Sequence, residues 1–209
     1  MFNLNYKNII AKDCGNLTRV SDDMYMTPFW KESFCKELVD YFDQNSYVFK
    51  NKNPDGYDTS ETFASYISKI FTLNILNQHY EKILIQMFDT YPNLNTDGYF
   101  DPYFVRYNHK DDTVNNLRLH NDISGISSVI KINNDFKGGE TVFPRQDIDT
   151  KDMPVGHILV WPGQVTHPHK VNPVTEGIKY SLTIWTLPTA WTSHNVVYTN
   201  EILDFKNEL

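Results

Sequence analysis

Residues 156–171 read GHILVWPGQVTHPHKV, and this short stretch sets the frame for the rest of the chain. The apolar run 158–161 has the length and residue types of a buried strand. Pro162 and Gly163 end it with a turn. His167 and His169 follow, and a second apolar run predicts a strand over 180–186. A strand, a turn carrying two histidines and another strand suit an antiparallel sheet in which the connecting loop carries chemistry.

Upstream, strand signals continue at Phe104, Val105 and Tyr107, over 117–122, and over 127–132. Turns are predicted at 133–139, where Gly138 and Gly139 permit a tight reversal, and the polar run 108–116 reads as a loop. The first half differs. Phe34, Leu38 and Phe42 recur every four residues and predict a helix over 30–44, opened by Pro28. Leu73, Leu76, Ile83, Leu84, Met87 and Phe88 form the stripe of a second helix over 72–90, closed by Pro92. Residues 1–26 suggest a strand or irregular lead-in, and 62–70 are ambiguous. Helices followed by many short strands predict an antiparallel sandwich or open barrel with helices on one side.

Composition agrees. The 209 residues are 40% hydrophobic and 14% aromatic, enough for a large core without crosslinks. The net charge of -7, with lysines scattered singly, argues against nucleic acid as a partner. No leader pattern or apolar run of membrane-spanning length is visible, so a soluble, cytoplasmic or otherwise intracellular chain is expected. Cys14 and Cys35 have no metal-site spacing. Cys35 is expected to be buried, and a disulfide between the two is an open alternative.

The chemistry begins with His120 and Asp122. Two apart in a strand, they would point to the same side and reach one ion together. Two imidazoles and a carboxylate on one face suit ferrous iron and leave coordination positions open. The third donor must come from elsewhere, and on spacing alone either His167 or His169 could serve. Lys179 and Ser181 are again two apart. A lysine facing an interior requires an anion, which the far carboxylate of a dicarboxylate would supply.

These motifs together resemble the iron- and 2-oxoglutarate-dependent dioxygenases of the prolyl and lysyl hydroxylase group. The match runs through 103–107, 119–122, 132–133, 136–143, 156–170 and 177–185. The H-N-D-I-S of 120–124, the F-x-G-G turn and 162–169 look most like the catalytic domain of procollagen lysyl hydroxylases, as does the 28–38 segment.

The resemblance implies a double-stranded β-helix, or jelly-roll, core with N-terminal helices. One domain would span 1–209, with helical support over 1–98, the catalytic core over 99–190 and a capping tail over 191–209. It also implies that His120, Asp122 and His169 hold Fe(II), with His167 a neighbour. Tyr107, Lys179 and Ser181 would bind 2-oxoglutarate as cosubstrate, and molecular oxygen would be consumed; ascorbate stays open. Lys179 departs from the Arg for which lysyl hydroxylases are better known, which bears on substrate more than on cosubstrate.

The implied reaction is hydroxylation of a lysyl side chain in a peptide or protein, with release of succinate and CO2. A prolyl or small amino-acid substrate is the alternative. A non-catalytic cupin-like binding domain is a different class of reading. Zinc hydrolysis could use the same donors but leaves Lys179 unexplained. Asn133, Ser124 and Thr183 are candidate supporting residues; loop 108–118 and segment 50–62 are candidate borders of the entry groove, with Asp58 or Asp112 a candidate contact for a substrate amine, and the tail is a possible homodimer contact.

Overall fold

The computed structural model describes residues 6–52, 59–67, 77–90, 98–111, 114–186 and 196–198. The helices are α1 (Tyr6–Ile9), α2 (Glu32–Gln44), α3 (Ala64–Ile67) and α4 (Asn77–Thr90). The strands are β1 (Thr18–Ser21), β2 (Met24–Pro28), β3 (Lys50–Lys52), β4 (Thr59–Phe63), β5 (Gly98–Phe100), β6 (Tyr103–Asn108), β7 (Leu117–His120) and β8 (Ile126–Lys131). They continue as β9 (Phe136–Gly138), β10 (Thr141–Phe143), β11 (Ile148–Asp149), β12 (His157–Pro162), β13 (His169–Val171), β14 (Val174–Trp185) and β15 (Val196–Tyr198).

The large sheet has nine strands, in the order β1-β2-β12-β8-β14-β6-β4-β3, with β9 joined to β14. A four-stranded sheet runs β11-β10-β13-β7, and β15 pairs with β5. The fold is mainly β with N-terminal helices, as the strand-rich C-terminal half implies.

One face of the large sheet carries the helices. Phe34, Cys35, Leu38 and Phe42 of α2 and Tyr80, Ile83, Leu84 and Met87 of α4 pack against Phe104, Ile130, Ile158, Tyr180, Leu182 and Ile184. Phe42 meets Phe104 and Tyr180 at ring-centroid distances of 4.9 and 5.3 Å. Each fully buried side chain of this kind contributes roughly 1.5–3 kcal/mol. Two hydrogen bonds fix the layers: Tyr180 donates to Asp43 of α2 at 2.8 Å, and Tyr80 of α4 pairs with Ser128 of β8 at 2.9 Å. The other face meets the small sheet through Met24, Leu159 and Trp161 against Phe143, and through Val105 and Tyr107 against Val171.

Several sequence expectations change. The first 98 residues are not helical support alone, because they place β1 to β4 on the two edges of the large sheet. The second helix begins at Asn77, its earlier predicted part lying outside the described residues. β14 is longer than the 180–186 run, so Lys179 sits mid-strand rather than at a start. Strand β7 ends at His120, and Asp122 lies in the following loop.

The pairing His169↔His120 and Val171↔Leu117 sets three residue steps of β7 against two of β13. This is a bulge, which re-aims side chains. It lets Leu117 and His120 both face the inter-sheet cavity despite their odd spacing, while Leu119 is 55% exposed. Cys14 and Cys35 are free thiols; Cys35 is buried, and burial raises its pKa to about 12.

Candidate active site

A cavity of about 510 Å³ opens between the two sheets. His120, Asp122 and His169 line it, and their donor atoms lie within 4.8 Å of one another. His120 Nε2 stands 3.4 Å from Asp122 Oδ1, and His169 Nε2 stands 3.6 Å from Asp122 Oδ2.

Each imidazole is oriented from behind. His120 Nδ1 lies 2.8 Å from the Arg118 carbonyl, and His169 Nδ1 lies 3.0 Å from the His167 carbonyl. A carbonyl only accepts, so each Nδ1 carries a proton, and in the neutral ring each Nε2 offers its lone pair to the cavity. Ser127 donates to Asp122 Oδ2 at 2.6 Å and is itself paired with Ser124. The Gln164 amide donates to the Asp122 carbonyl at 2.5 Å, which fixes the loop after β7.

Aromatic rings pack around His169: Phe143 stacks on it at 5.1 Å and Trp161 meets it edge-on at 5.2 Å.

Charges are mutually adjusted. Burial alone would raise the Asp122 pKa, but the hydrogen bond from His120 and the neighbouring His169 and Ser127 hold it below the ordinary value. Burial works against a charged His120, yet Asp122 and the Arg118 carbonyl carry its pKa upward. Burial lowers that of His169 despite Asp122. Two neutral-capable imidazoles and one buried carboxylate on one wall can hold a divalent ion and leave its other positions facing the cavity.

Lys179 and Ser181 also line the cavity, with Tyr107. Lys179 is 5% exposed; its Nζ donates to the Gly139 carbonyl at 2.8 Å and to Thr141 Oγ1 at 3.4 Å. The ammonium lies 5.2 Å from the centroid of the Tyr107 ring. Burial, reinforced by the charge of Lys131, lowers its pKa to about 7. Such a group gains strongly from an incoming anion. Gly139 has φ +72°, and a Cβ there would meet Val174 Cγ2 at 2.8 Å and Lys179 Cδ at 3.3 Å, so glycine lets the lysine pass.

The remaining sequence candidates divide. His167 is buried but turns away, its ring bonded to Thr166 and to the Asp22 carbonyl. Thr183 lines the cavity. Asn133 instead pins β14, donating to the Ile178 carbonyl at 2.8 Å and accepting from the Tyr180 amide at 2.9 Å. Asp58 and Asp112 lie outside the described residues.

Two features escape sequence reading. Lys131 is 7% exposed and donates to the carbonyls of Thr150 and Lys151, a contact across twenty residues with no motif. Glu61 lines the cavity from β4, within the 50–62 segment expected to border the entry groove, though nothing in that polar stretch singles out Glu61 itself. The buried indole nitrogens of Trp161 and Trp185, both cavity residues, have no hydrogen-bond partner among the described residues.

No protein-family profile matches the chain. It is 28% identical over 172 residues to mouse procollagen-lysine,2-oxoglutarate 5-dioxygenase 1, covering 76% of this chain and 23% of that protein. The chain thus spans about a quarter of the length of the curated relatives it matches.

Among solved structures, a Pseudomonas putida prolyl-4-hydroxylase aligns with a TM-score of 0.59 at 15% identity, over 80% of this chain and 94% of the other. A Trichoplax adhaerens prolyl hydroxylase, solved with a peptide fragment of the hypoxia inducible factor oxygen degradation domain, aligns with a TM-score of 0.59 at 14% identity, over 79% and 84%. Among the described residues, no helix is long and apolar enough to cross a membrane.

Proposed function

We propose that this chain, a member of the Fe(II)- and 2-oxoglutarate-dependent dioxygenase superfamily similar to prolyl and lysyl hydroxylases, hydroxylates a lysyl side chain in a peptide or protein. The observation that carries the reading is the convergence of His120, Asp122 and His169 in a cavity that also contains the buried ammonium of Lys179. The two sheets then form the two halves of a double-stranded β-helix within one catalytic domain.

In this reading His120, Asp122 and His169 hold Fe(II), and Lys179, Ser181 and Tyr107 hold 2-oxoglutarate. The bound group supplies the oxidation: one oxygen atom of O2 enters succinate as 2-oxoglutarate loses CO2, and the other enters the C–H bond of the substrate.

The protein's own part is positional. The Arg118 and His167 carbonyls keep both imidazoles in the tautomer with a free Nε2. Ser127 holds the carboxylate of Asp122 in place. Lys179 neutralises the far carboxylate with a charge-assisted hydrogen bond and Ser181 adds a neutral one. Phe143 and Trp161 keep water from the His169 side.

The lysyl substrate is supported by the sequence similarity to procollagen-lysine dioxygenases. A prolyl substrate is the second reading, favoured by lysine at 179 and by the structural likeness to prolyl hydroxylases.

The test incubates the protein with Fe(II), 2-oxoglutarate and collagen-like peptides containing either lysine or proline. Succinate release with a mass gain of one oxygen on lysine, located by fragmentation, is the expected result. A gain on proline would support the second reading, and succinate formation dependent on neither peptide would argue against both.

A further inference from the structure

A lysyl side chain differs from a prolyl ring in its charge, so the carboxylates lining the cavity are the groups that would tell them apart. Among the described residues lining it, the carboxylates are Asp122 and Glu61. Asp122 belongs to the metal cluster; Glu61 does not.

Glu61 lies on β4, in register with Val105 of β6, which in turn is in register with Ser181 of β14. It therefore stands two strands, about 10 Å, from the Ser181 row. Thr59 donates to Glu61 Oε1 at 2.6 Å and lines the same cavity, which orients the carboxylate along the wall. Lys50 is opposite Glu61 on β3, exposed on the outer edge of the sheet.

The surface beside Glu61 is aromatic. Tyr103 and Trp185 meet edge to face at 5.7 Å, and both line the cavity. The Tyr103 and Tyr107 hydroxyls are held above their ordinary pKa first by burial and then by the charges of Glu61 and Asp122. Both carboxylates therefore act on the same tyrosine wall.

We infer that Glu61 is the specificity-determining residue that receives the ammonium of a substrate lysine, with Tyr103 and Trp185 packing along its methylenes. The chemistry is selective. A carboxylate in an aromatic-lined cavity favours a cation that brings its own charge, and aromatic faces add to that preference. A prolyl ring has no charge to offer, and seating it beside Glu61 costs desolvation without return. Lys179 and Glu61 thus divide the cavity between the acidic cosubstrate and the basic substrate. The assignment rests on the lysyl-hydroxylase reading.

The test compares steady-state hydroxylation of a collagen-like peptide containing one lysine with the same peptide containing norleucine there, in the wild type and in Glu61→Gln. The wild type should prefer the lysyl peptide by at least about tenfold in kcat/KM. In Glu61→Gln the KM for the lysyl peptide should rise about tenfold or more with kcat little changed, and the preference should collapse toward unity.

A wild-type KM in Glu61→Gln, or an equal loss on both peptides, would overturn the role of Glu61 while hydroxylysine formation stands. Should Glu61→Gln not fold, the wild type still decides: equal use of the two peptides overturns the assignment. A wild type that oxidises proline and not lysine removes the lysyl reading itself, a result distinct from the others because no hydroxylysine forms with any variant.

Discussion

The two faces of strand β14 are built from alternating residues of one sequence and behave in opposite ways. Tyr180, Leu182 and Ile184 point to the helices and are at most 1% exposed among other apolar groups. Lys179, Ser181, Thr183 and Trp185 point to the cavity. The helix face stabilises through area removed from water. The cavity face carries a buried lysine, hydroxyls and an indole nitrogen without a hydrogen-bond partner among the described residues, none of which helps the unliganded protein fold. A period of two thus separates stability from chemistry within one strand, and substitutions on the two faces should separate in the same way.

The largest effect is expected at the metal cluster. Asp122→Ala removes its anionic donor and should reduce Fe(II) affinity and coupled succinate formation by on the order of a hundredfold or more, while thermal unfolding shows a folded protein. Iron binding and succinate assays on the same sample check this.

On the opposite face, Phe42→Ala deletes a ring packed against Phe49, Phe104 and Tyr180. It should cost about 3–5 kcal/mol in denaturant unfolding and leave kcat per folded molecule unchanged. Loss of kcat without loss of stability would break the division of labour.

Lys179→Met should raise the KM for 2-oxoglutarate by about a hundredfold. It should also raise the Tm of the unliganded protein, because a buried ammonium is replaced by an apolar chain of similar length; the gain is on the order of 2 kcal/mol.

A pH series tests the same lysine more gently. Its pKa without cosubstrate is lowered to about 7, and a bound carboxylate favours the protonated form and raises it. Cosubstrate binding above pH 7 therefore takes up a proton. The Kd for 2-oxoglutarate should increase with rising pH, by up to about tenfold per unit, until the bound-state pKa is passed. A Kd that falls with pH would contradict this. The smallest effect is expected for Ile85→Gln on the exposed side of α4, within about 0.5 kcal/mol.

What the sequence discloses follows the same boundary. The helix face is legible because burial imposes a period: Phe34, Leu38 and Phe42 announce α2, and the 158–161 run announces β12. Spacing makes the pair His120 and Asp122 legible, the resemblance selects His169 over His167, and the structure brings the three together. Their local geometry was not accessible, because the bulge in β7 and the loop that carries Asp122 depend on pairing with β13.

The cavity face is harder to read because its residues are polar inside the fold. Thr59, Ser60, Glu61 and Thr62 lack an apolar period, so the expectation that 50–62 borders the groove cannot say that three of these four are buried and that Glu61 lines the cavity. Lys131 lies unmarked in the 127–132 strand run, and only the distant Thr150 and Lys151 carbonyls explain its burial.

The most direct test of the central claim is an anaerobic titration of the purified chain with Fe(II) and then 2-oxoglutarate, followed by visible absorption. The account predicts one Fe(II) per chain and a metal-to-ligand charge-transfer band on adding 2-oxoglutarate, absent in Asp122→Ala. A folded wild-type chain that binds no Fe(II), or binds it and develops no band with saturating 2-oxoglutarate, would contradict it.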